Sequence, residues 1–366
     1  MINYIKADNY CSLVNFKIGF SSINLLLGKN GTGKSTVISL IAFLRSFILG
    51  KVDSSVAFGF QTLTRWQTVP LQSFEFSLTH KGSVYIYQLE VEFDVKEKKN
   101  RVKKEIVLCD NNLLFKAENG KAVLYDDSYK EGPEVLVNWL FSGISSVSEY
   151  SEFKKLYDFK QAVEKIVVCH PLPFDYDFSF AFAEHQSLDY SAGNITNVYM
   201  YIVQRNPEKM MELWQVLKEI NPYFVRTYLN GDNGKELYFE YDHNGVKNSY
   251  AFNEISDGER MLFILYFLVV MYFDDDYSLF LDEPDNFISL PEVGQFVQFI
   301  QDRATGKNQC VLISHHPSVI DFFAPSNGIW LERRSYGATT IATPPKSDCG
   351  LTYSEIISQG GMNEAE

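Results

Sequence analysis

The chain has 366 residues, enough for two or three domain-sized units or one elaborated domain. With 46% hydrophobic and 22% charged residues its composition is globular, which excludes wholesale disorder. Its net charge of −13 excludes a general polyanion binder, so any DNA contact falls to a local patch or a partner.

The N-terminal segment, MINYIKADNYCSLVNF, has no basic stretch followed by an apolar run, so no secretion signal is read there. Residues 1–27 alternate loosely and end in SINLLLG, an apolar strand running into glycine. GKNGTGKST follows, and VISLIAFLRSFIL then carries the apolar period of a helix. From 72 to about 123 the period changes to two, with turn signals such as HKGS and DNN between the runs, which predicts an antiparallel meander. A helical stretch is expected over 133–165, then a strand at KIVVCHP, then an aromatic, irregular loop over 175–193. Two helices broken at Asn206-Pro207 fill 194–224, and runs at 236–241 and 246–252 flank DHNG as a hairpin with an Asn-Gly turn. A helix (258–273), the strand SLFLDEP, a helix (290–303), the strand QCVLISHHP and a short tail complete the chain.

The longest apolar run, MLFILYFLVVMYF, is shorter than the roughly 18 residues a membrane span needs, so it is read as a buried helix and no membrane association is expected. Five scattered cysteines form no CxxC pair, which argues against a zinc site and for a reducing, cytoplasmic location. The α/β signals at both ends bracket a central insertion. Residues 1–70 and 251–366 are therefore expected to form one split α/β core, 71–132 an antiparallel β-subdomain, and 133–250 a mainly helical insertion ending in a hairpin.

Four motifs carry the chemistry. Gly28-Lys29-Asn30-Gly31-Thr32-Gly33-Lys34-Ser35 matches GxxxxGK[ST] at every fixed position. Glycines let consecutive backbone N–H groups curl around a phosphate, and the helix N-terminus adds its positive dipole end. Lys34 would reach the β- and γ-phosphates and Ser35 would ligate Mg²⁺. In Ser278-Leu279-Phe280-Leu281-Asp282-Glu283-Pro284 an apolar strand ends in two carboxylates. Asp282 stands where it can hold Mg²⁺, and Glu283 where it can orient and deprotonate an attacking water. Ile255-Ser256-Asp257-Gly258-Glu259-Arg260 precedes the apolar helix, where Ser256 can donate to a phosphate oxygen and Gly258 admits close backbone approach. Ser314-His315-His316 ends a second apolar strand, with His315 able to hydrogen-bond a γ-phosphate. Each of the last three also has a bland reading as a solvated turn, an ordinary N-cap or a structural histidine. Their order, each at the end of a strand or start of a helix, favours the functional one.

Taken together these residues resemble the ABC-type ATPase superfamily. The phosphate loop, from Gly28, Asn30, Gly31, Thr32, Gly33 and Lys34 to Ser35 and Thr36, looks like its Walker A. SLFLDEP looks like its Walker B, ISDGER (Ser256, Gly258, Glu259) like its signature motif, and His315 like its switch histidine. GKNGTGKST, SDGERML and DEPDNFISLPEV with LISHHPSVID are similar to the soluble, SMC- and RecF-related branch. More narrowly they resemble "AAA family" ATPases of prokaryotic antiphage defence and toxin–antitoxin loci, with the overcoming-lysogenization-defect and Septu-type ATPases as relatives. The resemblance implies ATP and Mg²⁺ as ligands. It also implies a Q-loop glutamine at the metal, for which Gln61 and Gln67 stand ahead of Gln72. The signature departs from the LSGGQ of transporters, and Asp285-Asn286 departs from the usual D-loop form.

In such a family the signature of one subunit completes the site of another, which implies a homodimer or larger even-numbered homo-oligomer with ATP at the interface. About 50 residues follow His315, too few for a TOPRIM nuclease domain, and the six histidines are dispersed. The implied function is an ATP-driven conformational switch, the sensor of a defence system governing a separate nuclease or toxin. The alternative is a RecF-like ATPase clamping on DNA, against which the acidic charge weighs. The basic run KEKKNRVKK at 96–104 is read as a solvated hairpin tip before a nucleic-acid contact. Alternating Phe174, Tyr176, Phe178 and Phe180 are candidate anchors for the effector or, equally, core of the insertion.

Overall fold

A computed structural model describes residues 1–149, 152–173, 181–274, 276–345 and 351–358. The chain opens with strands β1 (Ile2–Asp8), β2 (Phe16–Gly19) and β3 (Ile23–Leu27) and helix α1 (Lys34–Ile48). A short α2 (Ser54–Ala57) and a 3-10 turn (Phe60–Thr62) lead into β4 (Leu71–His80), β5 (Ser83–Asp94), β6 (Lys99–Cys109), β7 (Asn112–Glu118), β8 (Lys121–Tyr125) and β9 (Glu131–Leu136). Then come α3 (Lys154–Glu164), β10 (Ile166–Cys169), α4 (Ile195–Arg205), α5 (Pro207–Ile220), β11 (Phe224–Asn230), β12 (Glu236–His243) and β13 (Val246–Ala251). The last stretch is α6 (Asp257–Tyr272), β14 (Ser278–Asp282), α7 (Leu290–Asp302), β15 (Gln309–Ile313), α8 (Pro317–Asn327), β16 (Gly328–Arg333), β17 (Thr339–Ala342) and α9 (Tyr353–Ser358).

These strands form three sheets, with the order β10-β14-β15-β3-β16-β17 in the sheet that carries the motifs. Its first five strands run parallel and β17 pairs antiparallel at the edge. β3, β14 and β15 are buried at every position, the pattern a parallel sheet covered on both faces requires. The two-residue period of the strands sorts their side chains. Leu25, Leu27, Leu279, Leu281 and Leu312 join one core with α6, α7 and α8. Leu26, Phe280, Val311 and Ile313 join a second with α1, α3 and the antiparallel sheet. From Met261 to Tyr272 α6 is buried all round, as expected of a helix threaded through a core, and no described helix is long and apolar enough to cross a membrane.

The eight-stranded antiparallel sheet has the order β2-β1-β4-β5-β6-β7-β8-β9, so β1 and β2 pair with the meander that follows α1. β11, β12 and β13 form a separate three-stranded sheet. The fold is thus α/β with an antiparallel subdomain, as the patterns indicate.

Three segments differ from the sequence expectation. The helix expected over 133–165 is only α3. Before it, β9 extends the meander to Leu136 and the chain then lies on the sheet. Trp139 packs on Gly120, where a Cβ would fall 1.9 Å from its Nε1, and takes the Arg101 guanidinium 4.3 Å from its ring. The Trp139 carbonyl accepts from Val102 N at 2.7 Å. These distant contacts override a local apolar spacing that mimics a helix. The expected hairpin gains a third strand, β11. The short tail instead holds α8, β16 and β17, which complete the central sheet.

The basic run lies on the β5–β6 hairpin, as the bland reading has it. Arg101 pairs with Glu92 at 2.5 Å, Lys103 with Glu90 at 3.5 Å and Lys99 with Glu97 at 2.8 Å. Cys109, Cys169 and Cys310 are buried, and Cys11 is exposed. Phe174, Tyr176, Phe178 and Phe180 lie outside the described residues, as does Cys349.

Candidate functional site

β3 delivers the chain to a loop whose glycines hold backbone angles other residues avoid. Gly28 has φ 151°, Gly31 80° and Gly33 100°. A Cβ on Gly28 would meet Leu331 O at 2.4 Å, and one on Gly33 would meet Thr339 Oγ1 at 2.6 Å. The loop is therefore clamped from behind by β16 and β17. Thr339 Oγ1 donates to Thr32 O at 2.9 Å and lies 2.8 Å from Ser12 Oγ, while Thr32 Oγ1 donates to Lys29 O at 2.9 Å. Arg333 adds a contact to Gly31 O at 3.4 Å.

α1 starts at Lys34 with no side-chain cap and no acidic residue in its first turn, which leaves its positive end free for an anion. Lys34 is 6% exposed, and its ammonium donates to Gly28 O at 2.8 Å and Lys29 O at 3.2 Å. Burial lowers its pKa, against an opposing pull from Glu283 and Asp282.

The carboxylates come from the end of β14. Asp282 is 4% exposed, with Oδ1 3.4 Å from Ser35 Oγ and Oδ2 3.3 Å from the Tyr190 hydroxyl. Burial pushes its carboxyl above the ordinary value despite those hydrogen bonds. Glu283 takes φ 50°, and its N–H donates to Ile313 O at 2.9 Å. This turn swings its side chain toward β15, where Oε1 lies 3.8 Å from His315 Nε2 and Oε2 accepts from Asn286 Nδ2 at 3.1 Å. The adjacent His316 caps α8 through Nδ1, which accepts from Ser318 N at 3.2 Å.

These residues surround one cleft of about 490 Å³. Asn30, Gly31, Gly33, Lys34, Ser35 and Thr36 line it, as do Gln61, Glu283 and His315, with Cys11, Trp66 and Arg333 among the remaining lining residues. Gly28, Thr32 and Asp282 do not line it. Gln61 lines the cleft, whereas Gln67 is exposed outside it. Gln72 is buried and donates to Asn9 O at 3.0 Å. Ser256, Gly258 and Glu259 do not line the cleft of their own chain. They cap α6 instead: Ser256 Oγ accepts from Glu259 N at 3.3 Å, and Glu259 Oε2 accepts from Ser256 N at 3.2 Å. A second groove, of about 390 Å³ around Lys6, Glu75 and Lys104, contains none of the motif residues.

The donor set facing Ser35 and Asp282 is a hydroxyl and a carboxylate, hard oxygens that suit Mg²⁺. No cluster of three or more His, Cys, Asp or Glu among the described residues could hold a metal by itself. A cation here would draw its other ligands from phosphate and water. Sequence reading missed Tyr190, His170 and Thr339. No local signal marks them, because each acts through a contact made by folding alone.

No protein-family model and no curated protein matches the sequence. Solved structures do. An SMC head bound to the C-winged helix domain of ScpA matches with 12% identity and a TM-score of 0.56, covering 93% of this chain and 97% of that one. An SMC head domain with an extended coiled coil, bound to the C-terminal domain of ScpA and derived from Pyrococcus furiosus, matches with 10% identity and a TM-score of 0.53, covering 99% and 98%. The chain therefore has the ABC-type ATPase fold of SMC head domains, which agrees with the SMC-related branch its motifs resemble.

Proposed function

We propose that this protein binds ATP with Mg²⁺, hydrolyses it, and uses the cycle as a conformational switch. One observation carries the reading: α1, the end of β14 and the end of β15 bring Lys34, Ser35, Glu283 and His315 to a single cleft, with Asp282 hydrogen-bonded to Ser35. Lys34 and the loop N–H groups take the phosphates, and Ser35 and Asp282 hold the cation, with Gln61 the better placed of the two candidate glutamines. Magnesium held by Ser35 and Asp282 would offset the negative charge of the phosphates. Glu283, steadied by Asn286, orients water and accepts its proton, and His315 beside it contacts the γ-phosphate. Residues 1–70 and 251–366 supply most of the nucleotide-binding unit, joined by β10 from 133–250, with the rest of 71–132 and 133–250 as its elaborations.

The signature residues do not line their own cleft, which supports a head-to-tail pair in which Ser256, Gly258 and Glu259 meet the partner's ATP. The resemblance to defence ATPases supports a regulatory role in the cytoplasm, with a separate nuclease or toxin as effector. The glutamate-paired basic hairpin gives little support to DNA clamping. Two experiments test this. Purified chain should hydrolyse ATP with Mg²⁺, lose that activity in Lys34→Ala, and leave DNA and RNA uncut. Expressed with its neighbouring genes, it should protect bacteria from phage only with Lys34 intact. Protection unaffected by Lys34→Ala would remove the defence switch.

A further inference from the structure

Asp282 is held by two residues that no motif marks. His170, the residue after β10, has Nδ1 2.7 Å from the Asp282 backbone carbonyl. A carbonyl only accepts, so Nδ1 carries the proton. Tyr190 returns alongside: its carbonyl accepts from His170 N at 2.6 Å, and its ring stacks on the imidazole with centroids 6.0 Å apart and planes at 23°. The Tyr190 hydroxyl donates to Asp282 Oδ2 at 3.3 Å, with the Ser39 hydroxyl, one turn beyond Ser35 on α1, as a further partner. One carboxylate oxygen is therefore tied from the β10 side, and the other is left facing Ser35. From this geometry we infer that Tyr190, seated on His170, is a positioning residue that fixes the Asp282 carboxylate for the cation.

The physical reason lies in the carboxylate's freedom. Its terminal torsion is broad, so a lone carboxylate swings. Here the backbone of Asp282 is pinned by His170 and one oxygen by Tyr190, so the remaining oxygen keeps its aim without a metal. Hydrogen bonds of this outer kind change metal affinity by about 10- to 100-fold when removed. The inference rests on Asp282 holding the cation, and the test separates the two.

Mn²⁺ is titrated into the full chain with a non-hydrolysable ATP analogue, and free Mn²⁺ is followed by its paramagnetic resonance signal. Tyr190→Phe should weaken Mn²⁺ binding by about 10- to 100-fold, while analogue binding in EDTA stays at the wild-type level. Replacing Tyr190 with 4-aminophenylalanine keeps the ring and an N–H donor at the position of the hydroxyl and should retain most of the affinity. Asp282→Asn tests the underlying reading: Mn²⁺ affinity unchanged in that variant removes Asp282 from the site. If Asp282→Asn weakens binding but Tyr190→Phe does not, the positioning role alone is overturned. Equal weakening by Phe and 4-aminophenylalanine also overturns it, because the loss would then follow packing and not the hydrogen bond. Melting curves check the fold of each variant. Should the Phe chain not fold, the 4-aminophenylalanine chain must still bind near wild type, and a loss there as large as in Asp282→Asn overturns the inference.

Discussion

The Ser35 hydroxyl donates to Asp282 Oδ1 across 3.4 Å, although 247 residues separate the two in the chain. Such a bond is long and weak, so it exchanges readily when a cation claims both oxygens. The residues beside the pair divide the remaining work, with Lys34 buried on the phosphate side and Glu283 turned away toward His315. That division sets the first prediction. Glu283→Gln should keep ATP binding and lose turnover by at least ~10²-fold, the scale of general-base catalysis. Lys34→Ala should instead weaken binding. Steady-state phosphate release and equilibrium nucleotide titration distinguish the two, and normal turnover in the Gln chain would exclude Glu283 as the base.

The second prediction concerns assembly. Glu283→Gln with ATP should scatter light as a dimer or a larger even-numbered oligomer, since trapped ATP would hold two chains together. Complementation gives a sharper measure. Lys34→Ala retains an intact signature, and Ser256→Arg retains an intact phosphate loop, so each chain is inactive alone. Mixed, they pair one good loop with one good signature and should recover ATP hydrolysis. A mixture as inactive as its components would rule out a site completed in trans.

The motif-bearing strands and helices could be read directly because their signals are local. β3, β14 and β15 are short apolar runs ending in the residues that matter, and α6 announces itself by its capping box and its unbroken apolar run. What escaped was set by distance in the chain. Trp139 and Gly143 are placed by partners on β6, β7 and the turn that follows β7, so the spacing around them misleads. Thr339 lies in a segment with little periodicity, yet it braces the phosphate loop 307 residues away. The choice between Gln61 and Gln67 depends on which way a short turn faces, and residue type cannot decide that.

A third prediction follows from the clamp on the phosphate loop. At Gly33 an alanine would have both the wrong backbone region, φ 100°, and a Cβ 2.6 Å from Thr339 Oγ1 and 3.1 Å from Ser12 Oγ. At Gly31, φ is 80° but nothing lies within 4 Å of a Cβ. Gly31→Ala should therefore lose about 1–2 kcal/mol from strain alone. Gly33→Ala should lose more, approaching about 3 kcal/mol. Urea unfolding of the nucleotide-free chains gives the order, and a larger loss at Gly31 would contradict the packing.

The fourth prediction concerns pH and a group remote from the cleft. Glu105 on β6 is 1% exposed and accepts from the Tyr87 hydroxyl at 2.9 Å, the Ser142 hydroxyl at 2.5 Å and Gly143 N at 2.8 Å. Burial raises its pKa above the ordinary 4.5, outweighing the three hydrogen bonds that lower it. The folded chain then keeps this proton over a pH range in which the unfolded chain has released it. With more protons bound folded than unfolded, stability falls as pH rises from about 4.5 to the folded value, and is level beyond. The slope from one such group is at most about 1.4 kcal/mol per pH unit. Glu105→Gln carries no titrating proton and removes that slope, so the stability of wild type minus that of the variant should decline with pH and then flatten. Urea unfolding of both chains across pH 4–8 measures the difference directly. A difference that grows with pH would mean that the three donors hold Glu105 ionised, and that they, and not burial, govern its charge.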